Sequence, residues 1–250
     1  MDAGIADFIA VPELAREYAV NPMIDFGPEQ ILAVIRASTP AYAPGASIAY
    51  SNSNYVLLGF LIGAVTGQAP AVEIQRRIFN PLGMASSSFP LTAWMPEPFM
   101  HGYNAVAVGN PLIDVTRSNP DFPWTAGAII STLADMRIWA VALAEGALLT
   151  PEIQQARLQT RSISEGPVAY AYGLGVLTMN GMIGHNGGIP GYSSWLLHDP
   201  ESAATIAIVV NRSGETGGAA DPILHDILEL LFPERFPALP PAAAATPASS

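Results

Sequence analysis

After Gly166 the apolar pattern of this chain changes period, from the three-to-four-residue repeat of helices to the alternation of strands, and this change constrains the fold most. Before it the signals are helical. Gly27-Pro28-Glu29 opens a periodic stretch (Ile31, Leu32, Ile35) that stops before Pro40. From Ser53 the run NYVLLGFLIGAVTGQ predicts a helix apolar almost all round, hence buried, closed by Gly67. Further helices are expected over Ala71 to Phe79, from a Thr132/Asp135 capping box to Gly146, and from Thr150-Pro151-Glu152 onward. Between them, Asn80 to Trp124 reads as long irregular structure bordering a cleft, with Trp94, Phe99, Tyr103 and Phe122 needing burial.

Past the change, Tyr172 to Met179, the turn Asn180-Gly181, and Met182 to His185 predict a hairpin with a type I′ turn. Tyr192 to Leu197 and Thr205 to Val210 predict a second hairpin around Asp199-Pro200. Asp221-Pro222 caps a last helix with Ile223, Ile227, Leu230 and Leu231 on its apolar face. The expectation is an α+β chain: a mostly helical part over 1–165, a sheet part with its C-terminal helix over 166–235, and a Pro/Ala-rich disordered tail over 236–250.

Half of the 250 residues are hydrophobic, enough to bury a sizeable core. A net charge of −11, with ten arginines and no lysine, provides no basic stripe for phosphates, so a nucleic-acid partner is not expected. The most apolar run, Tyr55 to Val65, falls short of the ~20 residues a membrane span needs. Cysteine is absent, which removes disulfides and thiolate chemistry. His101, His185, His198 and His225 are scattered without metal-ligand spacing, so neither a metal nor a cofactor is expected. MDAGIADF has no basic stretch followed by an apolar one, so no signal peptide is expected in this sequence.

Two stretches could carry chemistry. In Tyr50-Ser51-Asn52 a phenol and an amide stand just before the apolar helix, and in His185-Asn186-Gly187-Gly188 an imidazole stands beside glycines that let a ligand reach the backbone. A tyrosine there can shuttle protons if a nearby positive charge lowers its pKa, and His185 can contact an anion or polarise that tyrosine. Each stretch alone also fits a structural role, a capping turn or a strand end. The other conspicuous residues have structural readings: Trp94, Trp124, Trp139 and Trp195 as core or cleft wall, Ser86-Ser87-Ser88 as a loop, Asp135 as a cap, and His198 with Asp199 as a hairpin turn. His101 reads as packing.

In this order and surrounding text the segments resemble the serine β-lactamase and penicillin-binding superfamily, in its class C β-lactamase, D-alanyl-D-alanine carboxypeptidase and esterase branch. GIADF, YSNSNYVLLGFLIGAVTGQ, NPLGMASSSF, HGY at 101–103, AGAIISTLADMRIWAVAL, YGLGV, GHNGGIPGYSS and a strand ending VVN carry the resemblance along almost the whole chain. It implies a β-lactamase/transpeptidase-like fold and an acyl-enzyme hydrolase of an amide, lactam or ester in a small-molecule or peptide-like substrate. Tyr50 would take part in proton transfer, Asn52 would contact substrate, and His185 and Gly187 would line the cleft. The N–H of Gly188 would form half of an oxyanion hole.

The family's nucleophile lies in S-x-x-K, and this sequence has no lysine and no serine three residues before any arginine. The expectation is an N-terminally truncated enzyme, lacking its first helix, first strands and nucleophile helix, inactive alone, with an exposed sheet edge open to pairing. The alternative is a non-catalytic remnant that binds a ligand or a complementary N-terminal fragment. A third reading makes Ser51 or Ser53 a substitute nucleophile. The family is often periplasmic or secreted, and the compartment of this chain stays open.

Overall fold

A computed structural model describes residues 1–104, 111–163, 168–213 and 218–237. Helices dominate the first part: α1 (Pro12–Val20), α2 (Pro28–Ala37), α3 (Asn52–Thr66) and α4 (Pro70–Ile74), the last running through a π-helical turn (Gln75–Phe79) into α5 (Asn80–Leu82). A two-stranded ladder, β1 (Tyr103–Asn104) with β2 (Ile113–Asp114), interrupts the irregular stretch before α6 (Leu133–Glu145) and α7 (Pro151–Arg157). Six antiparallel strands follow in sequential order: β3 (Arg161–Ser162), β4 (Tyr170–Tyr172), β5 (Leu177–Met179), β6 (Met182–Ile189), β7 (Tyr192–His198) and β8 (Thr205–Val210). α8 (Asp221–Leu231) closes the described fold, an α+β architecture as expected.

The helical core gathers on Phe122, which is fully buried, stacked on Tyr18 at 4.0 Å between centroids and edge-on to Phe8 at 5.6 Å, with Ile31 and Val56 in the same cluster. In the sheet core, Leu224 and Leu228 of α8 pack with Met179, Met182, Trp195 and Leu197. A smaller cluster joins Leu143 and Ala144 of α6 to Val176 and Ile183.

Several expectations need correction. α3 is not buried all round: Leu58, Leu61 and Val65 are exposed, because only the side bearing Ser53, Val56 and Gly59 is fully covered. α8 turns Leu224 and Leu228 inward and leaves Ile223, Leu230 and Leu231 exposed, since its apolar run offers two adjacent stripes and the sheet takes one. Tyr172 to Met179 is two strands, β4 and β5, separated by Gly173-Leu174-Gly175, with Gly175 at φ +70°. β6 continues past His185 to Ile189. Trp94 is 63% exposed rather than buried. The Asn180-Gly181 turn has positive φ at both residues, 44° and 89°, as a type I′ turn requires. Phe236, placed by sequence at the start of the tail, packs in the sheet core; the rest of that tail from 238 onward lies outside the described residues.

Half of the expected capping box forms. Thr132 accepts the N–H of Asp135 at 3.3 Å, but the Asp135 carboxylate accepts from the Ser86 N–H (2.9 Å) and the Ser87 hydroxyl (2.8 Å) instead of reaching back. Thr132→Ala is therefore expected to cost about 1 kcal/mol in thermal unfolding, with Thr132→Ser close to neutral because the accepting oxygen is kept.

Candidate active site

α3 and β6 place the two motifs side by side. Tyr50 stands two residues before α3, half-exposed, and its ring centroid is 6.0 Å from that of His185 on β6. Tyr172, at the end of β4, and Tyr55, one turn into α3, complete an aromatic cluster, at 5.9 and 6.3 Å from Tyr50. Among the site residues, sequence reasoning passed over these two tyrosines; the available signal was that both lie inside quoted motifs, YSNSNY and YGLGV.

His185 makes no hydrogen bond to Tyr50. Its Nδ1 is 2.6 Å from the Asn186 carbonyl and its Nε2 is 2.7 Å from the Tyr172 hydroxyl, which is in turn 2.5 Å from the Tyr55 hydroxyl. Both ring nitrogens are thus engaged within the chain. Burial lowers the His185 pKa below its ordinary value, partly offset by the bond to Asn186. Protonation then favours the unfolded chain, so stability is full above about pH 6.5 and falls as pH drops toward the folded-state value.

Tyr50 is pushed well above the ordinary phenol range, first by burial, then by the nearby Tyr55 and Asp7. The groups acting on it here include no cation, and a proton shuttle at Tyr50 requires one. Asn52, the first residue of α3, donates Nδ2 to Asp7 Oδ2 at 2.9 Å. This fixes the amide and leaves Oδ1 as the atom with which it can accept from a ligand.

The glycines of β6 sit where the strand outruns its neighbour. β5 pairs with β6 only as far as Gly184, whereas β7 continues opposite His185 to Ile189. Over 185–189 the side of β6 away from β7 therefore has no strand among the described residues, and alternate backbone N–H groups face that open side. A Cβ at Gly187 would meet Ser194 Oγ at 2.6 Å, a contact the serine hydroxyl can relieve by turning; one at Gly188 would meet nothing within 4 Å. Space is left at Gly188 for a ligand to approach.

Behind these glycines opens a cavity of about 810 Å³, walled by Trp94, Phe99, Met136, Trp139 and Leu196. Ser87 lies on the same flank, bonded to Ser131 Oγ and Asp135. His101 is tied to Asp114 at 2.8 Å, and Thr116 together with His101 lowers that carboxyl to about 2. Ser53 Oγ is fully buried and accepts the Phe8 N–H at 3.0 Å, and Ser51 Oγ is buried with no partner and no base, so neither is set up as a nucleophile. Among the described residues no three His, Asp or Glu side chains converge as a metal site would require.

Comparison with known proteins agrees with the motif order. Protein flp of Staphylococcus aureus is 28% identical over 184 residues, covering 70% of this chain and 35% of that protein. A D-aminopeptidase of Cereibacter sphaeroides is 23% identical over 229 residues, covering 89% of this chain and 43% of its own length. The chain thus spans less than half of these relatives. A D-stereospecific amidohydrolase from Streptomyces sp. superposes with a TM-score of 0.80 at 28% identity, over 90% of this chain and 68% of that one. The family model described as Beta-lactamase matches residues 1–229, and this chain belongs to the beta-lactamase family.

Proposed function

We propose that this chain forms the proton-relay and oxyanion side of a serine hydrolase that cleaves an amide, lactam or ester through an acyl-enzyme, with the nucleophile on a segment this sequence does not contain. The observation that carries the reading is the meeting of Tyr50 and His185, 6.0 Å apart by ring centroid, beside the open side of β6. Tyr50 serves as the proton shuttle, Asn52 Oδ1 accepts from the substrate, and the N–H of Gly188 faces the developing oxyanion. The raised Tyr50 pKa supports the division of labour, since the missing S-x-x-K lysine would bring the cation that lowers it. The names of the D-aminopeptidase and D-stereospecific amidohydrolase relatives favour a peptide-like amide among the candidate substrates. β8 ends the sheet, with no strand beyond it among the described residues, and offers the edge along which a complementary segment would pair.

A second reading is favoured by the 810 Å³ cavity: a chain that binds an apolar ligand or a complementary fragment there without turnover. Labelling with a fluorescent penicillin and a fluorophosphonate, read by intact mass, separates the two. The chain alone is expected to stay unlabelled, and addition of a polypeptide bearing S-x-x-K is expected to raise labelling toward one adduct per complex. Binding of that polypeptide without any adduct favours the second reading. An adduct on the chain alone places a nucleophile inside this sequence and overturns the first.

A further inference from the structure

Tyr55 and Tyr172 have no role in the motif reading, yet the hydrogen bonds of the site converge on them, and the direction of each bond can be worked out. The Asn186 carbonyl oxygen can only accept, so His185 Nδ1, 2.6 Å away, carries a proton. The ring is partly buried, and that loss of hydration lowers its pKa and disfavours a second proton, so Nε2 keeps a lone pair. Tyr172, 2.7 Å from Nε2, therefore donates its hydroxyl proton there. Its oxygen accepts in turn from the Tyr55 hydroxyl at 2.5 Å. Donation runs one way, from α3 through β4 to β6.

We propose that Tyr172 is a positioning residue whose hydroxyl, aligned by Tyr55, caps the bare Nε2 of the neutral Nδ1–H tautomer that the Asn186 carbonyl selects, so that the histidine gives the cleft a ring face beside Tyr50 and no N–H donor. The titratable groups around the ring are Tyr50 and Tyr172 in direct ring contact, and Tyr55 through Tyr172. Nδ1 is spent on the backbone and Nε2 on Tyr172, so neither nitrogen can bind an anion. Resting on the hydrolase reading, this narrows the substrate class: the group laid against β6 at His185 is neutral, an amide or ester, because a carboxylate there would lose hydration with no charge partner.

The test reads the tautomer directly. On the full chain labelled with ¹⁵N, long-range imidazole correlation spectra above pH 7 are expected to show His185 protonated at Nδ1 and bare at Nε2, with His185→Gln assigning the signals. Tyr172→Phe is expected to keep the Nδ1–H tautomer, which the Asn186 carbonyl holds, and to raise the pH midpoint of ring protonation, since the bond at Nε2 that favours the neutral form is gone. Tyr55→Phe should raise the midpoint by less. An Nε2–H tautomer in the wild-type chain overturns the proposal whatever the variants do, so it stays decidable even if Tyr172→Phe does not fold. An unchanged protonation midpoint in a folded Tyr172→Phe also overturns it, because a tyrosine that only packs would leave the titration of the ring in place. These spectra read no turnover, so their outcome is independent of the labelling that tests the hydrolase reading.

Discussion

Phe122→Ala is expected to lower the unfolding free energy by about 3–5 kcal/mol, the range for truncating a fully buried aromatic. Phe122 comes from the irregular stretch and yet organises the helical core: Tyr18 stacks on it at 4.0 Å, Phe8 meets it edge-on at 5.6 Å and Phe26 lies 6.2 Å away. Removing the ring takes away its own burial and leaves three aromatic neighbours facing a void that rigid helices cannot close. Trp94→Ala, in the same stretch, is expected to change stability by no more than about 0.5 kcal/mol, because Trp94 is 63% exposed. Urea unfolding of both variants checks the pair, and a Phe122→Ala cost below about 1 kcal/mol would show that this core is not cooperative with the rest of the fold.

That contrast marks what could be read from the sequence. Turn chemistry is local, so Asn180-Gly181 announced its hairpin, and Gly67 the end of α3, without tertiary information. Which of several aromatics is buried is decided by what packs opposite, so Trp94 and Phe122 looked alike until their neighbours were known. The same limit applied to α8, where Asp221–Leu231 carries apolar residues on two adjoining stripes and only the sheet selects Leu224 and Leu228. The extent of a strand is likewise set by its partners: β6 reaches Ile189 because β7 pairs with it throughout, although the glycines at 187 and 188 suggest an end.

At the site, the order of motifs along the chain was enough to single out Tyr50, Asn52, His185, Gly187 and Gly188 as candidates, because each motif is compact in sequence. The hydrogen bonds that set their states were not readable, since they join distant positions: Tyr55 and Tyr172 are 117 residues apart and Asn52 and Asp7 are 45 apart. A histidine in a motif invites a charged role, and the two hydrogen bonds that engage its ring nitrogens appear only in the structure.

In the chain complemented by an S-x-x-K polypeptide, Tyr50→Phe is expected to slow acylation by about 10²–10⁴-fold, the usual worth of a positioned proton-transfer group. The ring and its contacts with His185, Tyr55 and Tyr172 survive in phenylalanine, so the loss isolates the hydroxyl. Asn52→Ala is expected to weaken substrate binding as well, and it also strips Asp7 of its 2.9 Å donor, so its effect is divided between binding and the local fold. The pH profile separates the two variants. A phenol held above its ordinary range can act as a base near neutral pH only when a cation lowers it, so the wild-type complex should lose rate as pH falls through the lowered Tyr50 pKa. Tyr50→Phe should flatten that limb, and Asn52→Ala should keep it. Acylation rates from a chromogenic lactam or ester, taken across pH, decide the matter, and a Tyr50→Phe rate within twofold of wild type would remove the tyrosine from the proton path.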